Sequence, residues 1–108
     1  MKRGDVITVA PPGDFGKPRP AVVVQSDWLR TNSSVLVAPC TSTLSDAPLY
    51  RLAVEPSETN GLKLPAQIRV DKITPVLRIK CGAAIGVLDQ STLIDLNHML
   101  SVVVGIAD

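Results

Sequence analysis

The residues with the most chemical scope in this 108-residue chain are a few polar groups at the ends of apolar runs. Arg69 and Asp71 stand two apart in Gln67-Ile68-Arg69-Val70-Asp71-Lys72-Ile73, an alternating stretch that predicts a strand. On a strand Gln67, Arg69 and Asp71 share one face, with the Arg69 and Asp71 Cα atoms about 6 to 7 Å apart. Such a pair suits acid–base work on a phosphate: a carboxylate takes a proton from a ribose 2′-hydroxyl while a guanidinium neutralises charge growing on the phosphate oxygens. The plain alternative is an exposed ion pair of negligible energy. Thr41 and Ser42 are small hydroxyl donors at the end of an apolar strand, able to hold a phosphate or a base edge, or simply to make a Ser/Thr turn. Arg19 lies between Pro18 and Pro20, which hold its backbone extended, as a fixed phosphate contact or as a rim charge. Phe15 and Trp28 offer faces on which a base could stack, although Trp28 would serve equally in a core or an interface.

Several other chemistries find no support. There is no P-loop, dinucleotide glycine fingerprint, nucleophile elbow, zinc spacing or paired catalytic His/Cys. The only histidine, His98, falls beside an apolar helical stripe and is expected to face solvent. Cys40 and Cys81 have neither metal-ligand spacing nor the density of a disulfide scaffold, and are expected to be free thiols in or near the core. No metal or other cofactor is expected. A net charge of +1 argues against a strongly basic face for duplex nucleic acid, although Lys17, Arg19, Arg30, Arg51, Lys63, Arg69, Lys72, Arg78 and Lys80, spread through the middle of the chain, leave a folded positive face open.

The elements that must position these groups are short. With 45% hydrophobic and 19% charged residues, the chain is too apolar to be disordered, and it reads as one domain over residues 1–108. A domain of this size buries roughly 65% of its unfolded surface, enough for one core without staples. No apolar run is long enough to span a bilayer, and the start of the chain lacks a secretory pattern, which points to the cytoplasm. Asp5 to Ala10 reads as a strand ended by Pro11-Pro12-Gly13, followed by a Gly/Pro-rich loop to Pro20. Ala21-Val22-Val23-Val24 has the composition of a strand buried on both faces. Ser26 to Asn32 is expected to form a short helix or turn, Val35 to Pro39 and Leu49 to Val54 strands, and Thr59-Asn60-Gly61 a turn. Val76 to Gly82 is expected to make a short strand or turn. Leu93, Leu96, Leu100 and Val103 recur at helical spacing behind a cap at Asp89 or Ser91. The expected fold is a small β-rich α+β domain: a mostly antiparallel, partly barrel-like sheet with one C-terminal helix.

Several ordered segments carry a family resemblance: Lys2-Arg3-Gly4-Asp5-Val6, Lys17-Pro18-Arg19-Pro20-Ala21-Val22-Val23-Val24-Gln25-Ser26-Asp27, Val37-Ala38-Pro39-Cys40-Thr41-Ser42, Thr59-Asn60-Gly61-Leu62, Val70-Asp71-Lys72-Ile73 and Ile85-Gly86-Val87-Leu88-Asp89. Together, and over essentially the whole chain, they resemble the MazF/PemK (Kid-like) toxins of bacterial toxin–antitoxin systems. The resemblance implies a PemK/CcdB-like, SH3-like barrel with a C-terminal helix, a homodimer, and metal- and ribosome-independent cleavage of single-stranded RNA. It also implies a cognate antitoxin whose disordered C-terminal segment orders over the RNA groove. By the same resemblance Asp71 and Arg69 are base and acid, Arg19 and Thr41 belong to the active site, and Ser42 helps to bind RNA; Lys17, Asp14, Phe15 and Gln67 are further candidate RNA contacts. The first loop departs from the family pattern. Gly13-Asp14-Phe15-Gly16 has no histidine or glutamate, so either Asp14 or Phe15 replaces that contact or the sequence preference and cleavage are altered. Two further readings stay open. One is a gyrase poison on the same fold, although the chain's end lacks the Trp-Gly-Ile such poisons use; the other is a non-cleaving, antitoxin-binding module.

Overall fold

The computed structural model describes residues 1–10 and 17–107. Seven strands, β1 (Asp5–Val9), β2 (Arg19–Val23), β3 (Ser34–Thr41), β4 (Arg51–Val54), β5 (Ala66–Arg69), β6 (Thr74–Leu77) and β7 (Cys81–Val87), precede one helix, α1 (Gln90–Val103). They form an open, antiparallel sheet in the order β4-β5-β3-β2-β1-β7. β3 is the longest strand and the pivot. One edge pairs with β2, while the other serves β6 along Ser34–Val37 and then β5 at Cys40 and Thr41. Pro39, which has no N–H to donate, stands at that handover.

The apolar run of β2 is buried on both faces, as its composition requires: Ala21, Val22, Val23 and Val24 are all at most 5% exposed. Val22 and Val24 face a core shared with Val6, Ala38, Cys40, Ile68, Val70 and Leu96. Ala21 and Val23 face a second cluster with Ile7, Val35 and Val37. Helix α1 lays Leu93, Leu96, Leu100 and Val103 on the first core, and Leu96 is wholly buried there. Its start is set by Asp89, whose Oδ1 accepts the Thr92 N–H at 2.8 Å. His98 is exposed on the far side. No helix among the described residues is long and apolar enough to cross a membrane.

Of the helix or turn expected over Ser26 to Asn32 the chain makes the turn, in which Ser26 Oγ accepts the Trp28 N–H, and of the places open to Trp28 the core is excluded by its 92% exposure. Two local expectations are corrected. The strand expected to reach Ile73 ends at Arg69, and Val70–Lys72 is a 3₁₀ turn. The segment after Lys80 is a full seven-residue strand, β7, rather than the end of a turn. Its glycines and alanines have weak strand propensity, and pairing with β1 overrides it.

Candidate functional site

A cleft of about 660 Å³ runs across one end of the sheet, within the roughly 300–1,000 Å³ usual for ligand sites. Its floor takes one or two residues from each of five strands in sheet order: Ala66 of β5, Cys40 and Thr41 of β3, Arg19 and Pro20 of β2, Thr8 of β1 and Ile85 of β7. Ser42 and Thr43 form a hydroxyl ledge, and residues 61–64 form the facing wall. The register explains the assembly. Ala21 pairs with Pro39, so two steps further along the same register Arg19 comes level with Thr41, and Thr41 pairs with Gln67. Arg19, Thr41 and Gln67, far apart in sequence, thus stand in one row across three strands.

Each polar group on this row is held in a definite state. Thr41 Oγ1 accepts the Thr43 N–H at 3.1 Å, the Ser/Thr turn expected from composition, and its O–H remains able to donate. The Gln67 amide is engaged within the chain: Oε1 accepts from the Ser45 N–H and from Arg51 Nη1, and Nε2 donates to the Ser45 carbonyl. Arg51 Nη1 also donates to the Thr43 carbonyl at 2.9 Å. Gln67 and Arg51 together tie down the segment carrying the hydroxyl ledge. Nothing in the sequence around Arg51 marks it for that task, because the bond depends on β4 lying beside β5.

Arg69 lies on the same face as Gln67, two residues further along β5, and pairs across the sheet with Arg51. Like charges directly opposite on neighbouring strands repel. The Arg69 Nε is buried and makes no hydrogen bond, a costly state for a charged donor. An anion placed beside the two arginines would offset their repulsion. Asp71 sits on the 3₁₀ turn, and its Oδ2 lies 3.6 Å from Lys72 Nζ, a solvent-screened contact. The relation of Arg69 to Asp71 is therefore set by the turn from Val70 to Lys72 and not by strand alternation. Neither residue is among the described residues lining the cleft, to which β5 contributes Ala66.

The remaining sequence candidates divide. Lys17 is exposed, one residue before the cleft-lining Pro18 and Arg19. Asp14 and Phe15 lie outside the described residues. Cys40 lines the cleft, but burial pushes its thiol up to about 12, which removes thiolate chemistry at neutral pH. Cys81 is also a free thiol; burial raises it while the Arg78 charge opposes the shift. No group of three or more His, Cys, Asp or Glu suited to a metal occurs among the described residues.

Sequence reasoning took Thr59-Asn60-Gly61 as a turn, and the structure adds what that turn does. Asn60 is 5% exposed. Its Nδ2 donates to the Glu55 carbonyl, and its Oδ1 accepts from the Ser57 and Leu62 N–H groups. Gly61 has φ +70°, and a Cβ there would collide with the Ile85 carbonyl. Gly86 meets the Asn60 backbone just as closely. The two glycines let the turn seat directly on β7 and carry residues 61–64 over the floor. A second, smaller cavity of about 160 Å³ is lined by Gln25, Arg30 and Arg78 among others. The Gln25 and Arg78 side chains there bind the Leu29 carbonyl and hold the 26–32 segment.

Comparison with known proteins bears on this arrangement. Residues 2–104 match the family described as PemK-like, MazF-like toxin of type II toxin–antitoxin system. A protein of Mycolicibacterium smegmatis named as a probable endoribonuclease MazF is 37% identical over 108 residues, covering 99% of each chain. Among solved structures, a mycobacterial endoribonuclease in complex with its cognate antitoxin superposes with a TM-score of 0.83 at 20% identity, covering 100% of this chain and 98% of that one. The Mycobacterium tuberculosis toxin MazF-mt6 gives 0.79 at 22% identity, over 94% and 96%. A MazE–MazF structure from Deinococcus radiodurans gives 0.79 at 15%, over 99% and 97%. At these identities the structural likenesses establish the fold.

Proposed function

The chain belongs to the PemK-like, MazF-like toxins of type II toxin–antitoxin systems, and from that premise we propose that it is an endoribonuclease cutting single-stranded RNA at the Arg19/Thr41/Arg69 end of its sheet. The observation that carries the reading is the cleft itself, in which the Arg19 cation stands with the hydroxyls of Thr41, Ser42 and Thr43. A phosphodiester is the ligand that a guanidinium beside such donors would take. The M. smegmatis relative is named for the same activity.

The reaction is a transesterification. Asp71 takes the proton from a ribose 2′-hydroxyl, the 2′-oxygen bonds to the adjacent phosphorus, and the P–O5′ bond breaks. The products are a 2′,3′-cyclic phosphate and a 5′-hydroxyl, the 5′-oxygen taking its proton from solvent. Arg69 acts through its charge on the phosphate oxygens. Arg19 binds a phosphate, and the Thr41 and Ser42 hydroxyls donate to phosphate or base. Gln67 contributes by holding the ledge in place, because its amide is already engaged. No metal is required. The toxin acts in the cytoplasm as a homodimer and is silenced by a cognate antitoxin whose C-terminal segment orders over the cleft.

The test is incubation with a long single-stranded RNA in excess EDTA, with the new ends mapped. Discrete cuts bearing 2′,3′-cyclic phosphates are expected from the parent, and a large loss from Arg69→Ala and Asp71→Ala. An inactive parent sinks the reading; equal cutting by both variants sinks the residue assignment.

A further inference from the structure

The wall of the cleft formed by residues 61–64 is as firmly built as its floor. It leaves a turn whose pivot, Asn60, is buried and satisfied through its amide, and it is seated on β7 through the close approaches at Gly61 and Gly86. The Thr59 carbonyl accepts the Val87 N–H at 2.8 Å, a further bond from turn to strand. On this pinned arm Leu62, Lys63 and Leu64 all line the cleft. Leu64 is 61% exposed although it is a large apolar side chain. Lys63 is exposed and has no ion-pair partner among the described residues. The cleft thus carries cations on two separate segments, Arg19 on the sheet floor and Lys63 on the arm, and its lining includes apolar surface from Leu64, Ile85 and Pro20.

We infer that the 61–64 arm is a second RNA-binding element, in which Lys63 takes a backbone phosphate of the nucleotide next to the one held at Arg19 and Leu64 packs against the intervening base. The physical argument is charge and desolvation. A lysine on a pinned arm loses no backbone freedom on meeting a phosphate, only that of its side chain, and an exposed leucine gains from covering a base face. A phosphate contact adds affinity irrespective of sequence, whereas a side chain against a base discriminates among bases. Lys63 therefore supplies binding, Leu64 supplies preference, and neither touches the reacting atoms.

This inference rests on the ribonuclease reading, and its test separates the two. Initial rates of RNA cleavage are measured over a range of salt for the parent, Lys63→Gln, Leu64→Ala, and Lys80→Gln as an exposed lysine outside the cleft. For Lys63→Gln a several-fold rise in KM with unchanged kcat is expected. The slope of log kcat/KM against log salt should also become shallower by about 0.7, the value of one single-strand phosphate contact. Lys80→Gln should match the parent. Leu64→Ala should redistribute cutting among sites differing in the flanking base. If the parent cleaves and Lys63→Gln keeps its KM and salt slope, or loses kcat instead, the phosphate role is overturned. An unchanged cut-site distribution for Leu64→Ala overturns the base contact. A parent that does not cleave RNA overturns the ribonuclease reading and this inference with it.

Discussion

Arg51 and Arg69 face each other on β4 and β5, yet they have opposite fates: Arg51 is bonded to the Thr43 carbonyl and the Gln67 amide, while the Arg69 Nε is buried without a partner. A buried donor left in that state costs stability, and under the proposed function the cost is offset by phosphate binding. Arg69→Leu is accordingly expected to melt at the parent temperature or above it while cleaving RNA about 10²- to 10³-fold more slowly, as for loss of one charge-stabilising donor. Calorimetry and initial rates on the same sample check both halves. The two thiols provide a second contrast. Burial pushes Cys40 up to about 12, and a raised value means that the neutral thiol persists far above neutral pH. Alkylation at pH 8 is expected to modify Cys81 and to leave Cys40 untouched until the chain is unfolded, as peptide mass mapping would show.

At the level of elements, the 57–64 turn and helix α1 depend on single residues. Gly61→Ala must hold an L side chain at φ +70° against the Ile85 carbonyl, a strain of about 1–3 kcal/mol before any collision is counted. Denaturant unfolding should show at least that loss, together with weaker RNA binding as the arm lifts from β7. For α1, the Asp89 carboxyl is held below its ordinary value of 3.8 by the hydrogen bonds it accepts from Thr92. A depressed folded value means that the carboxylate's contribution is complete above about pH 4 and disappears as pH falls through the lower, folded value. Asp89→Ala should therefore lower the melting temperature at pH 7, and the gap to the parent should close toward pH 2.

Across the whole molecule, large apolar side chains remain exposed on adjoining segments: Trp28 at 92% and Ile79 at 89%, with Leu29 and Leu77 beside them. Arg78 draws these segments together by donating to the Leu29 and Asn32 carbonyls. Apolar surface of this kind on a small domain marks an interaction face. Sedimentation is expected to give twice the monomer mass. The emission of Trp28, the only tryptophan, reports whether this face is the one covered: a blue shift on association supports it, and an unchanged, water-like spectrum places the dimer contact elsewhere.

Much of this protein was legible in its sequence, and for a common reason. The β-branched run Ala21 to Val24 has no polar residue to turn toward water, so it had to lie at the centre of the sheet, and it does. The stripe from Leu93 to Val103 and a cap at Asp89 or Ser91 defined α1, because both signals are local, and the structure chose Asp89. What only the tertiary structure decided involves partners distant along the chain. β7 exists because β1 pairs with it, despite weak strand formers, and its Gly86 admits the Asn60 turn. β5 stops at Arg69, although the alternation runs on to Asp71, because the chain there turns into 3₁₀ geometry and buries Val70 against the helix-covered core. Arg19 and Thr41, which line the cleft, could be singled out from the chain alone, whereas Arg69 and Asp71, singled out with them, are not among its lining residues. That Arg51 braces the ledge, that Gln67 is engaged, and that Lys63 stands over the cleft follow from strand register and close backbone approach. A one-dimensional pattern does not encode those relations, because they are set by which strands become neighbours.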